Sequence, residues 1–175
     1  MPNQETHSEK LPLATKLAYG SGDIGTAISA ALRGFFLLKF LTDIAHLRPG
    51  SAALILLVLR GWDAVSDLVI GSLSDRTQTR WGRRRPWILF GAIPFGIFSF
   101  LIWLVPPFHY TGRFIYYVVV VMFLDMAFAV VNIPYTALMP ELTKDYDERT
   151  SLNSFRFAFA SGGTLLCSVL HPLIV

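Results

Sequence analysis

The stretch Leu59-Arg60-Gly61-Trp62-Asp63-Ala64-Val65-Ser66-Asp67-Leu68-Val69-Ile70-Gly71 lies within a long apolar segment and still carries one arginine and two aspartates. At about 100° per residue, Asp67 lies about 40° round a helix from Asp63 and about 20° from Arg60, so the three charges share one face. A charge near the middle of a bilayer costs at least about 2.5 kcal/mol, so it normally faces a partner, a water-filled cavity or a bound ion. Two carboxylates one turn apart supply oxygens that suit a small monovalent cation, and the pattern therefore indicates an ion-coupled transporter.

The composition of the whole chain favours a membrane protein. Apolar residues make up 53% of the 175 residues and charged residues only 15%, against about 25% charged residues in soluble proteins. A soluble domain of this size could not bury so much apolar surface, whereas a bilayer can. The single cysteine, Cys167, excludes a disulfide framework and a cysteine-based metal site. A net charge of +3 would suggest nucleic acid only if it formed a patch on a soluble fold, so we expect no nucleic-acid partner.

Five apolar segments are predicted to cross the bilayer as helices, following a disordered lead of residues 1–16. Roughly 20 residues are needed to cross a hydrocarbon core of about 30 Å, and each segment reaches that length or falls just short of it. No alternating pattern typical of barrel strands occurs, so the expected fold class is an all-α, polytopic membrane bundle. The predicted helices are residues 17–41, 51–74, 87–105, 114–139 and 157–175.

The loop between the second and third predicted helices sets the expected orientation. Five arginines fall in this loop: Arg76, Arg80, Arg83, Arg84 and Arg85. The loops on the opposite side carry only Arg48 and Arg113. Because cytoplasmic loops are enriched in Lys and Arg, we expect the N-terminus and the arginine-rich loop to lie in the cytoplasm, in a protein integral to the cell or inner membrane.

The run Gly71-Ser72-Leu73-Ser74-Asp75-Arg76, followed by Arg80-Trp81-Gly82-Arg83-Arg84-Arg85-Pro86-Trp87, resembles the signature loop of the major facilitator superfamily. The longer spacer, residues 77–81, is similar to that of its glycoside–pentoside–hexuronide:cation symporters. Residues 16–23, 60–67, 132–135 and 148–156 also resemble this family. The resemblance implies a charge latch that links cytoplasmic helix ends through Asp75, Arg76, Gly82, Arg83 and Arg84.

The resemblance also implies a function for the whole protein. Members of the family are cation-coupled symporters of sugars, glycosides or related solutes that work by alternating access, with no cofactor except the coupling ion, H⁺ or Na⁺. They have twelve helices in two halves, each built from inverted three-helix repeats, so the chain is expected to be an N-terminal fragment that lacks the C-terminal half. A lysolipid carrier is the alternative within the family, because Leu101–Pro106 is similar to those members. A non-transporting, truncated membrane subunit is the alternative of another class.

Two carboxylates carry the expected cation site. Asp63 and Asp67 match the helix-two residues that hold Na⁺, Li⁺ or H⁺ in the family. The pair also suits a proton, because neighbouring like charges raise the pKa of one of them. The alternative is that Asp63 only pairs with Arg60, which is expected to act as the charge partner in either case.

The fourth predicted helix adds two polar positions to the site. Asn132 matches a position at which a member of the family has an acid that joins the cation and substrate sites, and Tyr135 follows it closely. An amide brings no charge, which favours H⁺ over Na⁺ as the coupling ion. Asp125 lies seven residues before Asn132 and about 20° away on the same face. It either restores the missing carboxylate or pairs with Arg33.

The expected substrate contacts match the family only in part. Arg156 matches a helix-five arginine that binds sugar hydroxyls; the alternative is a basic side chain that snorkels at a helix mouth. Ala27 and Thr136 stand where sugar carriers have an acid and an aromatic residue, which weakens the assignment of a disaccharide.

One enzyme motif also occurs in the first predicted helix. Gly20-Ser21-Gly22-Asp23 matches the G-x-G-D segment of intramembrane aspartyl proteases, and Asp63 could serve as the second aspartate. Those enzymes have a tyrosine before that aspartate, whereas Trp62 stands there in this chain. No enzyme activity is therefore expected, and no metal beyond a possible Na⁺ at Asp63 and Asp67.

Overall fold

The computed structural model describes residues 10–80 and 82–174, apart from the side chains of residues 171–174. This part of the chain is helical and contains no strand, which confirms the predicted all-α fold class. A π-helical turn, Phe40–Ile44, extends the second helix. The helices are α1 (Leu13–Ser21), α2 (Asp23–Lys39), α3 (Pro49–Arg76), α4 (Arg85–Leu101), α5 (Tyr110–Ala137), α6 (Met139–Leu142) and α7 (Tyr146–Ile174).

Helix α1 corrects one predicted boundary. It begins at Leu13, so the predicted disordered lead of residues 1–16 is wrong for residues 13–16. The reason is a set of polar contacts with α7: Lys16 Nζ lies 2.8 Å from Glu148 Oε2, and the Leu11 N–H donates to the same oxygen at 3.2 Å. Residues 1–9 lie outside the described residues, so their predicted disorder stays a prediction.

Helix α7 begins eleven residues before the apolar segment that was predicted from residue 157. Asp145 caps its N-terminus, because Asp145 Oδ1 accepts hydrogen bonds from the N–H groups of Asp147 at 2.8 Å and Glu148 at 3.2 Å. Such a side chain satisfies N–H groups that have no partner within the helix. The predicted boundary therefore marks where the apolar surface begins, while the cap marks where the helix begins.

The chain divides into two compact units. One combines the first 28 residues with residues 138–175, and in it α7 approaches α1 at Gly20 and approaches the start of α2 at Gly163. A Cβ atom on Gly20 would lie 2.8 Å from Phe159 Cδ2, and one on Gly163 would lie 3.3 Å from Ile28 Cγ1. Small residues at these points let the helices pack side by side.

The other unit, Ser29–Ala137, contains α3, α4 and α5. A glycine again sets one close approach, since a Cβ atom on Gly91 of α4 would lie 2.5 Å from Val130 Cγ1 of α5. The rings of Phe98 and Phe123 stack between the same helices with centroids 5.3 Å apart. The core of this unit consists of Leu37, Phe40, Leu41, Ala45, Leu47, Ala52, Ile55, Ile102, Tyr117, Val120, Val121 and Leu124.

Large apolar side chains are exposed along these helices, including Leu68 at 77% and Leu57 at 68%. A bilayer hides apolar surface that water would not tolerate. Within the described ranges, two helical stretches, Leu13–Ile44 and Tyr110–Leu142, are long and apolar enough to cross a membrane, and Arg85–Leu101 is a shorter apolar helix. The other predicted spans stay predictions.

Candidate functional site

Two hydrogen bonds fix the register of α3 against α5. Trp62 Nε1 donates to the Met122 carbonyl at 3.1 Å, and Ser66 Oγ donates to Asp125 Oδ2 at 3.3 Å. Asp63 lies between these two contacts in the sequence, and its negative charge acts on the Asp125 carboxylate. Two carboxylates from different helices therefore come together in one unit.

Asp125 is buried and forms an ion pair with Arg33. Arg33 Nη1 lies 3.7 Å from Asp125 Oδ1, and the two side chains are only 12% and 5% exposed. This distance exceeds the roughly 2.7–2.9 Å of a charge-assisted hydrogen bond, so the attraction is mainly electrostatic. Of the two roles predicted for Asp125, the pairing with Arg33 is observed, and the neighbouring Asp63 leaves the other role open.

The side chain of Arg33 makes two further contacts. Its Nε donates to the Ser29 carbonyl at 3.3 Å, and its guanidinium lies 4.7 Å from the centre of the Phe128 ring. A guanidinium over an aromatic face is attracted by the ring quadrupole. Arg33 therefore keeps favourable contacts even without Asp125.

A cavity of about 630 Å³ opens beside this ion pair. Four charged side chains line it, Arg33, Arg60, Asp63 and Asp125, and the remaining lining side chains are apolar residues of α2, α3 and α5. The charged face predicted on α3 thus reaches a cavity through Arg60 and Asp63. A cavity with charges on an apolar wall suits a polar or amphipathic solute together with a small ion.

The contacts of Arg60, the predicted charge partner, differ from those predicted. It is exposed, and among the described residues it forms no ion pair with Asp63 or Asp67, so the predicted pairing is not observed. Helical periodicity places residues on one face without fixing where a long side chain ends. Asp67 is exposed and does not line the cavity, although its charge interacts with that of Asp63.

Asn132 and Tyr135 lie further along α5. Seven residues separate Asn132 from Asp125, which corresponds to about 10 Å along the helix axis. Asn132 does not line the cavity, and Tyr135 is buried with 8% exposure. The structure therefore does not bring these two residues to Asp63 and Asp125. In the described part of the chain, no group of three or more His, Cys, Asp and Glu side chains is arranged to hold a metal ion.

Arg156 belongs to the other unit, where it pairs with Asp23. Its Nε donates to Asp23 Oδ2 at 3.0 Å, and its guanidinium also hydrogen bonds the side chain of Tyr19. Thr26 Oγ1 donates to Asp23 Oδ1 at 2.9 Å. The simple snorkelling alternative does not describe this partly buried network, and the predicted contact of Arg156 with substrate stays a prediction.

The latch residues meet at the ends of α3 and α4. Arg84 Nη2 lies 3.4 Å from Asp75 Oδ1, and Arg83 donates a hydrogen bond to the Asp75 carbonyl. Gly82 adopts a φ of 96°, a left-handed conformation that favours glycine. Arg76 ends α3 and is exposed. Since the Asp75 side chain is 66% exposed, we expect the ion pair itself to stabilise the loop only weakly.

Residues 18–175 match the model of a family described as MFS/sugar transport protein. The chain is 50% identical over 98% of its length to an uncharacterized symporter of Synechocystis sp.. It is 39% identical over 94% of its length to a putative glycoside/cation symporter of Escherichia coli. It is 35% identical over 100% of its length to sodium-dependent lysophosphatidylcholine symporter 1-A of Danio rerio.

The helical fold and the exposed apolar surface are typical of a polytopic membrane chain. This chain belongs to the MFS/sugar transport protein family, which confirms the resemblance to the symporters of the major facilitator superfamily. The alignments cover 33%, 36% and 33% of the three relatives, so the chain spans about a third of their length. Relatives named as symporters give no support to the aspartyl protease alternative.

Proposed function

We propose that this chain forms the first helices of a cation-coupled symporter that moves a sugar, a glycoside or a related solute by alternating access. The observation that carries the proposal is the pair of carboxylates, Asp63 and Asp125, lining one cavity of a membrane chain. Carboxylates in such a place are costly unless they bind or exchange a positive charge. Two relatives, one named as a putative glycoside/cation symporter and one as a sodium-dependent symporter, support ion coupling.

In this proposal Asp63 and Asp67 hold the coupling ion, and Asn132, Tyr135 and Arg156 serve the substrate side. Binding of the ion neutralises a carboxylate and removes an electrostatic penalty that otherwise opposes closure of the site. The chain's own residues supply the site, and no chemical bond of the solute is changed. The proposed partners are a small solute, a monovalent cation, the lipid bilayer and a C-terminal half.

We propose H⁺ rather than Na⁺ as the preferred coupling ion. A Na⁺ ion needs several converging oxygens, whereas a proton needs one suitably placed carboxylate. Asn132 brings no charge and lies away from the cavity. The ion site therefore has no carboxylate at this position, which suits a proton better than Na⁺.

A lysolipid is the second candidate substrate. Most of the cavity wall is apolar, including Leu38, Leu56 and Leu57, and an acyl chain would bury such a wall favourably. One relative is named as a sodium-dependent lysophosphatidylcholine symporter. The substrate test should therefore include both glycosides and lysophosphatidylcholine.

The proposed membrane orientation places the N-terminus and the arginine-rich loop in the cytoplasm. Single cysteines introduced at residues 76–85 and 141–150 should react from the cytoplasmic side, and cysteines at residues 44–50 and 107–112 from outside. The reason is the retention of Lys and Arg on the cytoplasmic side. Labelling of residues 76–85 from outside would overturn this orientation.

The main experiment measures uptake into proteoliposomes that contain the full-length product of the gene. Glycosides and lysophosphatidylcholine are supplied with Na⁺ or choline at fixed pH, and then over a pH series without Na⁺. Asp63→Asn and Asp67→Asn should abolish ion-dependent uptake while membrane insertion persists, because neutralisation removes ligand charge. Asp43→Asn, at an exposed position, is the control and should transport normally. Ion-dependent uptake by both site variants would refute the proposal.

A further inference from the structure

The charges around the cavity do not balance. Three carboxylates, Asp63, Asp67 and Asp125, interact with one another through space. The cavity adds two guanidinium groups, Arg33 and Arg60. With all five groups ionised, the cluster is one positive charge short of neutrality. A single monovalent cation or proton makes up that difference.

Arg33 occupies a place at Asp125 that a cation would otherwise take. Asp125 is 4% exposed. Among the described residues, its oxygens have one hydrogen bond, from Ser66 at 3.3 Å, and the long 3.7 Å pair with Arg33. An ionised carboxylate can accept about four hydrogen bonds, so much of its capacity is unused. The positive charge of Arg33 also acts on Asp63.

The ion pair is built so that it can open. Arg33 keeps the Ser29 carbonyl and the Phe128 ring as contacts when it leaves Asp125. Asp125 keeps the hydroxyl of Ser66, which holds one of its oxygens on the side of α3. Both partners therefore retain contacts in the open arrangement, which lowers the free-energy cost of separating the two buried charges.

We propose that Arg33 is an internal counter-ion that competes with the coupling cation for Asp125 and Asp63 and so sets the affinity of the site. When no ion is bound, Arg33 neutralises Asp125. When an ion enters beside Asp63, Arg33 moves towards Phe128 and Asp125 becomes a third carboxylate of the site. This inference rests on the proposed function, and it adds Arg33 and Asp125 as residues that determine ion affinity.

The test measures ion binding without needing the substrate. The thermal unfolding midpoint of the purified full-length product is recorded against NaCl, with choline chloride to hold ionic strength, and separately against pH without Na⁺. A ligand that binds only the folded state raises this midpoint. Arg33→Gln should lower the Na⁺ or H⁺ concentration at half effect by about tenfold, because a competing positive charge a few ångströms away is lost.

Asp125→Asn should have the opposite effect and raise that concentration by about tenfold, because a negative charge is lost. Removal of an arginine with only a structural role would not tighten ion binding. Arg48→Gln and Asp43→Asn are the matched controls, since both residues are exposed, and neither should move the ion response. An unchanged or weakened response in Arg33→Gln would overturn the inference.

Asp63→Asn separates the inference from the proposed function. If the wild type responds to neither ion, or if Asp63→Asn keeps the full response, the proposed function fails. If Asp63→Asn loses the response and Arg33→Gln leaves it unchanged, only the inference fails. If Arg33→Gln does not fold, the double variant Arg33→Gln/Asp125→Asn decides. It should bind the ion about tenfold more tightly than Asp125→Asn alone, because Arg33 also opposes the ion at Asp63, and equal or weaker binding would overturn the inference.

Discussion

Neutralising Asp23 should leave the Arg156 guanidinium without its counter-ion, and this change tests whether the network between α1, α2 and α7 is structural. The two charges lie 3.0 Å apart, with side-chain exposures of 19% and 12%. At an effective dielectric constant of 20, their attraction is at most about 5.5 kcal/mol. Removing one partner of a fully buried pair costs about 3–5 kcal/mol. Because this pair is partly exposed, we expect Asp23→Asn to lower the free energy of unfolding by about 2–3 kcal/mol.

A double-mutant cycle isolates the pair. Arg156→Gln should cost about as much as Asp23→Asn, and the double variant should cost no more than either single change, which gives a coupling energy of about 2 kcal/mol. Equilibrium unfolding of the purified protein in detergent measures all four states. Additive costs, with a coupling energy near zero, would refute the reasoning that the ion pair holds this unit together.

The same variants test the predicted contact of Arg156 with substrate. Asp23→Asn leaves the guanidinium available for a solute, whereas Arg156→Gln removes it. If Arg156 binds substrate, KM for uptake should rise in Arg156→Gln and stay near the wild-type value in Asp23→Asn, because binding energy is lost only in the former. Equal changes of KM in both variants would limit Arg156 to the structural role.

Three other changes have defined expectations. Gly91→Leu should destabilise the protein by about 1–3 kcal/mol, because its Cβ would lie 2.5 Å from a valine of α5. Gly96→Leu, where a Cβ has open space, is the control. If both variants lowered the thermal unfolding midpoint equally, the close packing at Gly91 would be contradicted. The hydrogen bond from Lys16 holds the pKa of Glu148 below its usual range. The pair therefore stabilises the folded state above about pH 4, and this stabilisation is lost as the pH falls through the lowered pKa. Thermal unfolding should therefore differ between wild type and Glu148→Gln at neutral pH and converge in acid, and a constant difference would contradict this. Gly82→Ala should lower the free energy of unfolding by about 1 kcal/mol, because alanine is strained at the φ of 96° that Gly82 adopts. Thermal unfolding measures this effect as well, and an unchanged midpoint would contradict the expected backbone strain.

The sequence was sufficient to predict the class of protein and the charged face of helix α3. Apolar runs predicted the helical fold, and the spacing of Asp63 and Asp67 identified the charged face of α3. Both predictions depend on local periodicity, which the chain carries within a single segment. Where the predicted boundaries differ from the structure, as at the start of α7, the polar residues next to the span were the missing information. The cap at Asp145 has the ordinary sequence signature of an N-cap.

The partners of the charges could not be predicted in the same way. Which residue of α2 faces Asp125 depends on how far the helices slide along one another, and no local pattern states that offset. The sequence predicts Arg33 as a partner of Asp125 only because an unpaired charge in an apolar helix needs one. The same rule predicts a partner for Asp23 but does not identify Arg156, which lies 133 residues away in the sequence.

The two ion pairs differ in a way that assigns them different roles. Arg156 and Asp23 lie 3.0 Å apart, and Thr26 and Tyr19 complete their network. Arg33 and Asp125 lie 3.7 Å apart beside a cavity. A short pair whose other polar atoms are satisfied within the protein is costly to open, because each charge would lose several bonds at once. A long pair next to a cavity costs less to open, and an incoming cation can replace the guanidinium at the carboxylate. The geometry therefore favours a structural role for the first pair, and for the second it favours the exchange with a coupling ion that we propose.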